Sequence, residues 1–154
     1  MKRVLVLVLL LVFAVGSISI GTAQKKLTFA YMSGILDPFM QMIEKGARAK
    51  AAELGVNFIT AEYPKAWGPD QQVPILEAMV AKGGIDFLMV VPTSQTALIA
   101  PLKKIFDKGI PMVTCDTYLG DGDYSKPSNY SFPLAYIGTD NEAGGYEVGK
   151  KLAG

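Results

Sequence analysis

The stretch GGIDFLMVVPTS, Gly83 to Ser94, decides the fold. Phe87 to Val91 is the most continuous apolar run of the chain's globular part, which marks a central strand covered on both faces. Gly83-Gly84 ends a helix before it, and Pro92-Thr93-Ser94 turns the chain into another helix after it. A buried strand between two helices is the repeating unit of a parallel sheet with right-handed crossovers.

The same unit recurs on either side. Lys26 to Met32 reads as a first strand, with Leu27, Phe29 and Tyr31 on one face and Ala30 and Met32 on the other. Asp37 is a natural N-cap and Pro38 fits the first position of the helix that follows. Phe39, Ile43, Ala47 and Leu54 form its expected apolar stripe, and Gly55 ends it. Val56 to Thr60 is the second strand. After a loop at residues 64–68, Asp70 is the expected cap of a second helix, with Ile75, Leu76, Met79 and Val80 inward and Pro74 in its first turn. Beyond the central strand, Pro101 kinks the third helix or delays its regular start, and Gly109 closes it. Pro111 to Cys115 is the fourth strand. A long polar loop runs to Pro133, Leu134 to Gly138 is the fifth strand, and helix resumes from Asn141. The expected fold is α/β: a doubly wound, mainly parallel sheet with helices on both faces.

At the amino terminus, Lys2 and Arg3 precede the apolar run Val4 to Val15, and Gly21-Thr22-Ala23 offers small residues for cleavage. This pattern is that of a secretory signal peptide over residues 1–23, since a membrane span needs about 20 uninterrupted apolar residues. The expected location is periplasmic or otherwise extracytoplasmic, with no stable membrane insertion after cleavage. Cleavage leaves 13 basic against 14 acidic residues, a balance that does not favour nucleic acid. A single cysteine, Cys115, allows no internal disulfide, so a hydrophobic core must hold the fold.

In a parallel sheet the strand-to-helix turns fall at the carboxyl edge, where ligands bind. The residues placed there include Ser33, Asp37, Trp67, Asp70, Thr93, Ser94, Asp116, Thr117, Thr139, Asp140 and Asn141. They offer hydroxyls, carboxylates, an amide and an aromatic ring, and only Lys65 as a cation, which does not describe a phosphate site. The chain has no histidine. Ser-His-Asp and Cys-His catalysis and histidine metal sites are therefore excluded. Gly120-Asp121-Gly122-Asp123 runs into Pro127 instead of opening a helix, so it is no dinucleotide fingerprint. Asp121, Asp123 and Ser125 have calcium-loop spacing, but Lys126 and Phe132 stand where the turn Gly and the bidentate Glu belong. No cofactor or metal is expected, and Asp37 with Asp116 is the one pair placed for acid-base work.

Four segments, LTFAYMSGILDPFMQMIEKGARAKAAELG, VVPTSQTAL, GIPMVTCDT and YIGTDNEAGG, resemble in order and spacing the amino-terminal part of ribose-type bacterial solute-binding proteins. The resemblance implies a protein, not an enzyme, that captures a monosaccharide or polyol between two lobes. It would deliver the ligand to an ABC transporter permease and, in some members, to a chemotaxis receptor. It further implies ligand contacts at Ser33, Asp37, Phe39, Asp116 and Thr117. Asp37 stands where the family often has Asn, Thr117 where an Arg commonly follows the Asp, and Val91 where ribose binders have a polar residue. Plain ribose is therefore a poor match. The same resemblance makes residues 24–138 a sugar-binding lobe, and 139–154 a hinge at Thr139, Asp140 and Asn141 plus the first helix of a second lobe, so that the chain is incomplete.

Each contact has a plainer alternative. Phe39 can belong to the core stripe, Trp67 can staple its loop over the core, Ser33 can serve only its turn, and Thr117 can bond its own backbone. Asp116 ends a strand and caps no helix, so a ligand role explains it best; an ionised carboxylate accepts bonds from two adjacent hydroxyls. Two other function classes stay open. One is a small secreted carbohydrate enzyme using Asp37 and Asp116 as acid and base, and the other is a single-lobe interaction module.

Overall fold

The computed structural model describes residues 25–154. The expected signal peptide lies outside the described residues. Five strands, β1 (Thr28–Met32), β2 (Asn57–Thr60), β3 (Phe87–Val90), β4 (Met112–Cys115) and β5 (Tyr136–Ile137), alternate with α1 (Pro38–Glu53), α2 (Pro69–Ala81) and α3 (Ile99–Asp107). A last helix, α4 (Asn141–Ala153), follows β5. All strand pairs are parallel and the spatial order is β2-β1-β3-β4-β5. β3 lies in the centre, as its apolar run requires.

Successive side chains of the sheet feed two cores, the consequence of a strand period of two. Ala30, Met32, Leu88, Val90 and Met112 pack with Leu76, Met79, Leu102 and Ile105 of α2 and α3. Tyr31, Met89, Val91 and Cys115 pack on the other face, against Met40, Ile43 and Ala47 of α1.

Several expectations about the helices change. The inward stripe of α1 is buried Met40 and Ala51 with half-buried Ile43 and Ala47; Phe39 and Leu54 are 56% and 64% exposed. One residue of phase rotates a helix by about 100°, which is why Phe39 leaves the core. α2 is capped at Gly68 and starts at Pro69, so Asp70 lies inside its first turn instead of capping it. Pro74 sits in the second turn, within the helix. Pro101 falls at the third position of α3, whose regular start is delayed to Ile99 by a turn in which the Ala97 N–H donates to Ser94 Oγ. β5 has only two residues, although Leu134 N–H donates to Met112 O ahead of it and Asp116 N–H to Ile137 O.

The long loop after β4 is tied down by its own side chains. Tyr124 Oη accepts the Leu119 N–H and bonds the Thr114 hydroxyl. Asp123 accepts the Ser125 N–H and pairs with Lys126 at 2.8 Å, as a solvated turn would. α4 buries none of its side chains, and Tyr146 and Leu152 are 70% and 84% exposed. No helix among the described residues is long and apolar enough to cross a membrane.

Candidate functional site

The strand order reverses between β1 and β3, and in open α/β sheets this switch point at the carboxyl edge is where ligands bind. The turn after β1 carries Asp37, whose backbone is extended and whose Oδ1 accepts the Met40 N–H at 2.7 Å. One carboxylate oxygen thus caps α1. Ser33, 2% exposed, donates its hydroxyl to Ile35 O and accepts the Ile35 N–H, so it is spent inside the turn. Phe39 is exposed at the start of α1.

Asp116, after β4, has φ 63°, the one left-handed non-glycine among the described residues. The Thr117 N–H donates to Cys115 O at 2.7 Å, which closes a three-residue γ-turn around Asp116. The Asp116 N–H is taken by Ile137 O, and its carbonyl accepts the Tyr136 hydroxyl at 3.0 Å. This backbone anchoring projects the carboxyl from a strained turn. Burial pushes the Asp116 carboxyl up, and the Asp37 carboxylate, from a separate turn, pushes it further. Thr117 bonds more than its own turn. Its hydroxyl donates to Pro92 O, which joins the turn after β4 to the turn after β3.

Trp67 is 44% exposed and belongs to neither core. Its ring lies over Gly34, where an added Cβ would come within 2.2 Å of Cζ3. The loop staple is thus laid on the turn that carries Asp37. Gly34→Ala is expected to displace the indole, red-shift its emission and cost about 1 kcal/mol, the low end of overpacking because Trp67 can swing toward solvent. Unchanged emission would contradict the close approach.

Two residues of this edge escape sequence reasoning. Gln72, on α2, is fully buried and bonds Ser33 O, Val91 O, the Thr93 N–H and the Thr93 hydroxyl. Its signal was a polar residue one turn before Leu76 on the buried stripe of the helix. Glu44, on α1, accepts from Tyr63, Arg48 and Thr60 and so anchors the loop that leads to Trp67. Burial pushes the Glu44 carboxyl up, but the hydrogen bonds from Tyr63, Arg48 and Thr60 outweigh it and hold it below its ordinary range. Nothing in one sequence marks that pairing.

Thr139, Asp140 and Asn141 lie between β5 and α4. Asp140 caps α4 by accepting the Ala143 N–H at 2.9 Å, and Thr139 donates to Asn141 Oδ1 at 2.7 Å. Among the described residues, no three His, Cys, Asp or Glu side chains gather where a metal could bind. A groove of about 340 Å³ lined by Ile59, Ala61, Ile75 and Met79 follows the β2 edge, and it includes neither acid of the crevice.

A family profile described as periplasmic binding protein domain matches residues 31–153. The D-ribose/D-allose-binding protein of Pseudomonas aeruginosa is 28% identical over 134 residues, covering 86% of this chain and 41% of that protein. The ribose import binding protein of Haemophilus influenzae is 25% identical over 153 residues, covering 99% and 48%. The chain therefore spans somewhat less than half the length of these relatives. Among solved structures, an ABC transporter solute binding protein from Agrobacterium vitis, bound with alpha-D-tagatopyranose, superimposes with a TM-score of 0.77 at 41% identity. That match covers 83% of this chain and 43% of the other. These relatives are named as binding proteins, not as enzymes. With the doubly wound parallel sheet and a profile match over residues 31–153, the chain belongs to the periplasmic binding protein family.

Proposed function

We propose that this chain supplies the amino-terminal lobe of an extracytoplasmic solute-binding component of an ABC sugar importer. In this assignment residues 24–138 form the lobe, Thr139, Asp140 and Asn141 a hinge, and the remainder the first helix of a second lobe. The ligand is a monosaccharide or polyol held at the carboxyl edge, and the partner is a transporter permease, with a chemotaxis receptor as a further one. Residues 1–23 direct export to the periplasm or its equivalent.

The observation that carries the proposal is the meeting of Asp37 and Asp116 from separate turns at one edge, with Trp67 laid over the Asp37 turn. Vicinal hydroxyls can donate to such carboxylates in charge-assisted bonds, and an exposed indole offers a face to C–H groups of a sugar ring. Phe39, exposed at the head of α1, would add a second ring. Ser33 and Thr117 contribute by shaping the two turns, because their hydroxyl protons are already donated to carbonyls. The tagatose held by the 41% identical Agrobacterium vitis protein supports a hexose, while the 28% and 25% identical relatives are named for D-ribose with D-allose and for ribose.

A single lobe leaves half the ligand hydrated. Binding by this chain should be weaker than about 1 mM, near 4 kcal/mol. Titration of the isotope-labelled chain with D-tagatose, D-allose and D-ribose should shift amide resonances at Asp37, Trp67, Asp116 and Thr117 and quench Trp67 emission. No sugar should be consumed. Shifts confined to other surfaces would overturn the assignment, and a chemically altered sugar would favour the acid-base alternative.

A further inference from the structure

We propose that Gln72 is a positioning residue that sets the spacing between Asp37 and Asp116; this rests on the crevice being the sugar site. Gln72 comes from α2, yet its side chain ends fully buried between the turn after β1, which carries Asp37, and the turn after β3, to which Thr117 beside Asp116 is bonded. Nε2 donates to Ser33 O at 3.1 Å and to Val91 O at 2.7 Å. Oε1 accepts the Thr93 N–H and the Thr93 hydroxyl, both at 2.9 Å. An amide has two donor hydrogens and two acceptor lone pairs, and here every one is used. The orientation is fixed by the partners, since a flipped amide would set oxygen against two carbonyls.

These bonds join a continuous chain of contacts from one acid to the other. Ser33 opens the turn that ends at the Asp37 cap. On the far side, Val91 and Thr93 flank Pro92, whose carbonyl accepts the Thr117 hydroxyl, and Thr117 follows Asp116 directly. An apolar side chain at position 72 would leave the Ser33 and Val91 carbonyls and the Thr93 N–H without this partner in a dry interior. The turns would then separate or twist to find water, and the acids would move with them. Function of this kind needs supporting bonds beneath the contacting side chains, because positional errors of well under an ångström already degrade a site.

The test needs no ligand, so its failure is distinguishable from failure of the sugar assignment. Carboxyl-carbon NMR on the full chain follows the titration of Asp116, with and without Asp37→Asn. In the native background Asp37→Asn should lower the Asp116 midpoint, because a like charge is removed. The other titratable groups around Asp116 are Tyr31, Cys115 and Tyr136, all held above their ordinary values and neutral through that window. In a Gln72→Met background the response to Asp37→Asn should be clearly smaller than in the native background, because the interaction between the two charges weakens as their turns separate. Thr93→Val, which removes only one bond to Gln72, should reduce it in the same direction by a smaller amount, and decides the matter if Gln72→Met does not fold. An unchanged response, with only a lower melting temperature, would make Gln72 a structural residue and overturn the proposal.

Discussion

Leu88→Ala is expected to lower the stability of the chain by about 3 kcal/mol, within the usual 2–5 kcal/mol for a buried leucine. Leu88 is fully buried in the central strand, paired in register with Ala30 of β1 and Met112 of β4. Its side chain enters the core shared with α2 and α3, where neighbours held by strands on both sides cannot collapse into the cavity. A domain stable by only about 5–15 kcal/mol loses much of its margin in this way. Urea denaturation should show a lower midpoint with an unchanged slope. Leu152→Ala, on a helix that buries nothing, should move the same curve by less than about 0.5 kcal/mol. A loss at Leu88 comparable with that at Leu152 would contradict the central place of β3.

The prominence of β3 in the sequence has the same origin as this sensitivity. A strand buried on both faces must be apolar throughout, so Phe87 to Val91 announces both its structure and its position. Gly55, Gly83, Gly84 and Gly109 adopt positive φ just beyond helix ends, which is why the carboxyl-terminal ends of the helices are also legible. What failed was helical phase. Phe39 is more hydrophobic than its neighbours, but Pro38 fixes the start of α1 and its geometry turns Met40, not Phe39, to the sheet. The start of α2 lies two residues before the one expected, because Asp70 has the chemistry of a cap while Gly68 caps without a side chain.

The crevice was legible for a different reason. Parallel topology assigns every strand-to-helix turn to one edge, so Asp37 and Asp116 could be placed together without any knowledge of contacts. The support beneath them could not. The bonds of Gln72 span up to 39 residues and those of Glu44 up to 19, and one sequence holds no record of such pairings. Trp67 over Gly34 is also a pairing of this kind, 33 positions apart.

Asp116→Asn should move stability and ligand binding in opposite directions. Asn is among the few residues that accept a left-handed backbone, so the turn at φ 63° is retained. Removing the charge relieves both the burial of the carboxylate and its repulsion by Asp37, a gain of about 0.5 kcal/mol, the size of a solvent-screened charge interaction. The pH dependence fixes the cause. The Asp116 carboxyl is raised in the folded state, so the unfolded chain releases its proton first as pH increases. The native protein therefore loses stability between the unfolded and folded midpoints and keeps that deficit above them. At low pH, where the acid is protonated in both states, no deficit exists. The advantage of Asp116→Asn should accordingly be present at neutral pH and vanish on acidification. Sugar binding should weaken roughly tenfold, because a charge-assisted bond of about 1.5–3 kcal/mol becomes a neutral one of about 0.5–1.5 kcal/mol. For a half-site already near the millimolar range, that removes the titration response. Loss of both stability and binding would mean that the carboxylate holds its own turn, and the strained backbone at Asp116 would then be an economy of the fold instead of a cost borne for the ligand.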